Sequence, residues 1–253
     1  MCLLTFLPPN VTPDLDALHV GADYNPDGHG FAVVTDSRIT IGHGMTADTV
    51  IDAFVAVRRT HPGGPALFHS RLATHGTIAE ANCHPFTVGG DPRTVIAHNG
   101  VLPADVQPLP GDPRSDTRIT AEDLLPALDP LRSRSTRQRL TRWMTTANKM
   151  VILTVDPRSK QQAYILNEQE GVWDGGIWYS NDSYQPEGPA GIRRWWTEDE
   201  WPFEECPYCA GALDVVRERC SDCLWCLICG ELPQECFCYE PDTLEPAVTA
   251  ARR

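Results

Sequence analysis

Eight of the ten cysteines in this 253-residue chain fall between Cys206 and Cys238, arranged as Cys206-x-x-Cys209, Cys220-x-x-Cys223-x-x-Cys226-x-x-Cys229 and Cys236-x-Cys238. Thiolates at this spacing wrap a tetrahedral metal ion, because each C-x-x-C turn offers two sulfurs to one ion. The segment is too short to fold by burial alone, so the metal must supply folding energy. Eight ligands suffice for about two structural zinc ions. The simplest pairing is Cys206, Cys209, Cys220 and Cys223 for one ion and Cys226, Cys229, Cys236 and Cys238 for the other; an interleaved pairing and an iron–sulfur cluster fit the same donors. Four-sulfur zinc sites are closed to water, which makes the expected role structural rather than catalytic.

The remainder has the composition of an ordinary globular domain. Hydrophobic residues make up 42% and charged residues 22%, enough apolar material for a core at this length without disulfides. No apolar run reaches the length of a membrane span, and the first apolar stretch is cut by Pro8-Pro9 with no basic residue before it, so neither a membrane anchor nor a signal peptide is expected. Clustered rather than scattered cysteines fit a reducing cytoplasm. The formal charge of −13 has the wrong sign for attraction to phosphate backbones. Residues 185 to 253 hold six basic and fourteen acidic residues, so the cysteine module is expected to meet a partner protein rather than nucleic acid.

Apolar patterning divides the first part of the chain into blocks. Residues 2 to 7 read as a buried strand, and 30 to 41 as two strands turning near Asp36-Ser37 with Phe31, Val33, Ile39 and Ile41 pointing inward. Thr46 can cap a helix running to about Arg59, with Val50, Phe54 and Val57 at helical spacing. Residues 66 to 68 and 95 to 97 are short buried strands, and the four prolines between Leu102 and Pro113 mark a surface loop. Helices are predicted over 121 to 128 and 136 to 147, the second with Arg137, Arg139 and Arg142 on its wet side, followed by strands over 149 to 156, 161 to 167 and 171 to 181. Strands and helices in blocks predict layered α+β architecture rather than a βαβ repeat.

Cys2 follows the initiator methionine. If Met1 is removed, one residue carries both a nucleophile and a base, because an α-amine titrates near 8 and a thiol near 8.5. Alone this is weak, since a second-position cysteine is usually an inert thiol. Four further segments give it weight: Asn25-Pro-Asp-Gly-His-Gly30, His69-Ser-Arg-Leu-Ala-Thr-His-Gly76, Asn82-Cys-His-Pro-Phe86 and Ala97-His-Asn-Gly100. Together with Cys2 they resemble class II glutamine amidotransferases, N-terminal nucleophile hydrolases that release ammonia from glutamine, over residues 2 to about 182.

The resemblance implies a four-layer αββα sandwich and a set of roles. Cys2 is the nucleophile, and Asn99 with the backbone N–H of Gly100 receives the oxyanion. Arg71 takes the substrate carboxylate, Thr74 and His75 flank the ligand, and Asp116 takes the ammonium. Gly28 and Gly30 let backbone lie close to Cys2, His84 and Pro85 form a structural turn, and Cys83 is an inert core thiol. His29 stands where small relatives carry an aromatic residue, which puts the shape of the pocket in question.

The expected organisation is an amidotransferase domain over 2–184, a linker over 185–204 packed by Trp195, Trp196 and Trp201, a zinc module over 205–240 and a tail over 241–253. The expected activity is glutamine hydrolysis through a Cys2 thioester. No synthase or ligase pattern follows residue 182, so the ammonia acceptor is expected to be a separate enzyme. Stand-alone family members paired with purine-analogue biosynthesis suggest nucleobase modification as one destination. Two alternatives stay open: hydrolysis of a γ-glutamyl or other small amide, and an inactive scaffold for the zinc module.

Overall fold

The computed structural model describes residues 2–128, 130–186, 213–214 and 219–221. By contacts the chain divides into two units, Met1–Pro186 and Glu187–Arg253. In the second unit a short antiparallel pair, Leu213–Asp214 with Arg219–Cys220, falls within the described residues, and Cys220 is buried there. The other seven predicted metal ligands and the linker tryptophans lie outside the described residues.

In the first unit the strands are β1 (Leu3–Leu7), β2 (His29–Thr35), β3 (Arg38–Gly44), β4 (Ala66–Ser70), β5 (Phe86–Val88), β6 (Asp91–Asn99), β7 (Lys149–Thr154), β8 (Ala163–Leu166), β9 (Val172–Asp174) and β10 (Ile177–Tyr179). They form two antiparallel sheets, ordered β3-β2-β4-β1-β10-β9 and β5-β6-β7-β8. The helices are α1 (Leu15–Tyr24), α2 (Ala47–Thr60), α3 (Asp116–Ile119), α4 (Leu125–Ala127) and α5 (Arg134–Met144).

Side-chain alternation sorts these elements into layers. In β1, Leu3 and Leu7 pack with Ala17 and Leu18 of α1 and with Val50, Ile51 and Phe54 of α2. Leu4 and Phe6, on the opposite face, pack with Val95 and Ala97 of β6 and Val151 and Leu153 of β7. Ile96, Met150 and Ile152 on the far face of the second sheet then meet Ala121, Leu125, Leu140 and Met144. A strand of period two must present alternate residues to different neighbours, so three apolar layers separate four layers of backbone: helices, sheet, sheet, helices.

Helix α1 was not expected from the sequence. Its buried stripe is Ala17, Leu18, Gly21 and Ala22, in which Leu18 alone is large and the other three carry little hydrophobic signal. A side chain at Gly21 would run into Leu3, so close approach to β1 rather than bulk decides this position. The Asp14 carboxylate caps the helix through Ala17 N–H (3.0 Å), and Asn25-Pro26 ends it.

Other boundaries also shift. The strand predicted over 171 to 181 is a hairpin, because Gly175 and Gly176 both take positive φ and turn β9 into β10. The helix predicted over 121 to 128 starts at Asp116, where the Ser115 side chain accepts from Arg118 N–H, and passes through a π-helical turn over Thr120–Leu124 before α4. On α5, Arg139 and Arg142 are exposed as expected, but Arg137 lies over the Tyr164 ring at 3.7 Å. Among the described residues no helix is long and apolar enough to cross a membrane.

Arg58, 2% exposed, anchors the far end of β1 without a carboxylate partner. Its guanidinium donates to the carbonyls of Pro8, Val11, His61 and Gly64, tying the exit of β1 to the end of α2. A planar fork with five donors can do this; a lysine cannot.

Candidate active site

Cys2, Arg71, Asn99, Gly100 and Asp116 lie around one end of the layer between the sheets. Cys2 continues the alternation of Leu4 and Phe6, and Asn99 that of Val95 and Ala97, so both follow the inter-sheet parity from opposite sheets. The half-buried Cys2 thiol lies 3.3 Å from Leu72 O and accepts from Leu72 N–H at 3.4 Å. Asn181 Nδ2 donates to the Cys2 carbonyl at 2.8 Å, fixing the backbone that carries the thiol. Burial pushes the Cys2 thiol up; the Leu72 contact and the Arg71 charge pull it back, while Asp116 raises it. Of the four predicted substrate-binding residues, Arg71 and Asp116 thus lie near enough to act on the sulfur.

Asn99 is 1% exposed, and its Nδ2 donates to Ser180 Oγ at 2.8 Å. The same hydroxyl accepts from Leu4 N–H at 2.9 Å, so Ser180 links the Asn99 amide to the strand that follows Cys2. Gly100 has φ +132°, and a side chain there would strike Asn148, so this position requires glycine.

Arg71, also buried, spends two of its five N–H groups on its own loop, on His75 O (2.8 Å) and Thr77 O (3.1 Å). Three remain for a ligand. Thr74 is exposed, and His75 keeps its ring Nδ1 buried without a partner. Asp116 accepts from Leu102 N–H (2.9 Å) through one oxygen and from Thr117 N–H (2.7 Å) through the other, so it also braces the segment just past Gly100. Of the glycine-bearing segment, Gly30 lies against the His84 carbonyl and Gly28 against the Cys83 sulfur, neither leaving space for a side chain. Cys83 is buried beside Met45, as expected of a core thiol. His29 follows the parity of Phe31, on the helix-facing side, where its Nδ1 lies 3.2 Å from Ser70 Oγ.

Sequence reasoning missed the groups behind these residues: Ser180, Asn181, Thr117, Asn148 and the ring of His98. Asn148 Nδ2 donates to Met144 O, which leaves Oδ1 to face His98 Nε2 at 2.9 Å. Since Oδ1 can only accept, Nε2 carries the proton, while Nδ1 lies 3.0 Å from the Thr117 hydroxyl, which itself donates to Asp116 Oδ1 at 3.3 Å. The backbone of His98 is held too: its N–H points at His84 Nδ1 (3.4 Å), and its carbonyl accepts from His69 Nε2 across the sheets at 3.1 Å. Only tertiary structure brings Thr117 and Asn148 to His98, so no spacing in the chain announces them.

Burial holds His69, His84 and His98 below the usual imidazole range, His69 at about 3. Folded His69 thus refuses a proton that the unfolded chain takes near pH 6.5. The unfolded state binds more protons as pH falls below 6.5, so stability is full above that value and is lost progressively toward pH 3. His69 alone should lower unfolding free energy by about 2 kcal/mol between pH 8 and pH 5, with His84 and His98 adding in the same direction. Urea midpoints across that range are the check; a midpoint independent of pH would show that the three rings are not buried and neutral.

No protein-family model matches the chain, and no curated protein matches it. Among solved structures it is similar to glutamine phosphoribosylpyrophosphate (PRPP) amidotransferase from B. subtilis complexed with ADP and GMP, at 16% identity and a TM-score of 0.44 over 71% of this chain and 41% of that one. It is also similar to a structure described as the allosteric regulatory enzyme of purine biosynthesis, at 14% identity and a TM-score of 0.40 with the same coverage. The chain thus spans less than half the length of either structure. Among the described residues no group of three or more His, Cys, Asp or Glu side chains could hold a metal ion.

Proposed function

We propose that the first unit is a class II glutamine amidotransferase domain that hydrolyses L-glutamine through Cys2. The observation that carries this reading is the meeting of the Cys2 thiol, the Asn99-Gly100 turn and the charges of Arg71 and Asp116 at one end of the inter-sheet layer. Each meets one need of the reaction. Arg71 holds the α-carboxylate with its remaining N–H groups and Asp116 the α-ammonium, which aims the side-chain amide at the sulfur. With Met1 removed, the Cys2 amine takes the thiol proton, and Sγ bonds to the amide carbon while the carbonyl electron pair moves onto oxygen. Asn99 and the Gly100 N–H stabilise that oxyanion. The C–N bond then breaks, the leaving nitrogen takes the proton from the amine, and ammonia departs; water, deprotonated by the same amine, cleaves the thioester to glutamate.

His29 motivated the γ-glutamyl alternative, but its ring sits with Ser70 on the helix-facing side, which gives that alternative no support. The test is ammonia release from L-glutamine by the purified full chain. Release no faster than buffer, from protein whose intact mass shows Cys2 at the N-terminus, would remove the assignment.

The ammonia is consumed by a separate acceptor enzyme, and the acidic cysteine module is the dock for it. The eight thiolates of that module suit two structural zinc ions, which would hold its turns in place and supply no catalysis. Metal analysis of the full chain should return about two zinc per chain. Iron with acid-labile sulfide would replace zinc by a cluster.

A further inference from the structure

Ser180 is fully buried, and its hydrogen bonds cannot all be satisfied as they stand. Its Oγ accepts from Leu4 N–H and from Asn99 Nδ2, which fills both lone pairs and leaves its own hydroxyl hydrogen to be placed. Meanwhile Asn99 Oδ1 is buried with no partner. A half-turn of the Asn99 amide about its Cβ–Cγ bond gives that hydroxyl hydrogen an acceptor and turns the unpartnered end of the amide from an acceptor into a donor. Oδ1 then accepts the Ser180 hydroxyl proton, Ser180 still accepts from Leu4, and Nδ2 takes the position where Oδ1 had no partner. The buried amide end at that position changes from an acceptor, which would repel an oxyanion, to a donor free to bind one.

We propose that Ser180 is a positioning residue that sets which end of the Asn99 amide faces the substrate: as a donor to Asn99 Oδ1 it turns Nδ2 toward the developing oxyanion. This rests on the glutaminase reading of the site. It makes the hydroxyl part of a chain from Leu4 N–H through Ser180 to Asn99, so that the strand carrying the nucleophile also orients the group that stabilises the charge formed by its attack. No proton leaves that chain during the reaction; the hydroxyl acts by orientation.

The experiment is a double-mutant cycle in the full chain, read as steady-state ammonia release from L-glutamine. Ser180→Ala should lower kcat roughly 10- to 100-fold with KM little changed, less than loss of the donor itself because the amide still samples the productive orientation. In an Asn99→Ala background the same substitution should cost nothing further, since its effect passes through Asn99. Ser180→Cys, with a weaker donor, should fall between wild type and Ser180→Ala. Equal losses with and without Asn99, a raised KM with kcat unchanged, or wild-type kcat in Ser180→Ala would each overturn the proposal. So would unfolding of both variants, because it would make the serine a structural residue. A wild-type chain that releases no ammonia sinks the glutaminase reading itself, whereas an active wild type with an unaffected Ser180→Ala sinks only the role of Ser180.

Discussion

Alanine in place of Cys2 should leave ammonia release from L-glutamine at the buffer rate while the chain keeps its fold. The side chain is half-buried and bonded only to the backbone of Leu72, so its removal deletes a small contact and not a core element. Its chemical loss is total, because the thioester has no other sulfur from which to form: Cys83, the other described cysteine of this unit, is buried beside Met45. Thermal denaturation and a glutaminase assay on the same preparation separate the two effects. Ammonia release at the wild-type rate by Cys2→Ala would transfer the nucleophile elsewhere, and an active wild type still carrying Met1 would remove the terminal amine as its base.

Asn99→Ala should lower kcat by about 100- to 1,000-fold, the usual consequence of losing one preorganised oxyanion donor in a site shielded from water. Glutamine KM should move little, since the interaction forms with the negative charge and is absent in the ground state. Some loss of stability is also expected, because Ser180 then loses its side-chain hydrogen-bond partner in a fully buried position. Single-turnover measurement of thioester formation distinguishes the two contributions. A variant whose KM rises while kcat holds would make Asn99 a substrate-binding group instead.

The residues proposed for this site stood out in the sequence because each lies in a short segment with its own local signature, as Asn99 does beside Gly100. What stands behind them did not. Ser180 and Asn148 are single polar residues at strand ends, and their importance comes from facing Asn99 and His98 across the fold. The layered α+β architecture was legible from strands such as β1 and β7, whose apolar runs announce burial on both faces. Helix α1 escaped because it packs through Gly21 and Ala22, where closeness replaces hydrophobic bulk. The β9–β10 turn escaped for a related reason: Gly175-Gly176 sits inside a run of strand-forming residues that reads as continuous. His29 was singled out by its departure from the family pattern, and strand parity places its ring on the helix-facing side beside Ser70.

The bond from His69 to the carbonyl of His98 joins the two sheets next to the turn that holds Asn99. Cys2 and Asn99, the proposed nucleophile and oxyanion donor, are thus mounted on separate slabs, and the gap between them is set by the thickness of the packing in between rather than by any loop. Leu67 and Ala97, both fully buried in that filling, act as spacers. Changing their volume by a methyl group or two would alter the reacting distance while leaving each sheet intact, so the core of this domain is a gauge for its chemistry as well as a source of its stability.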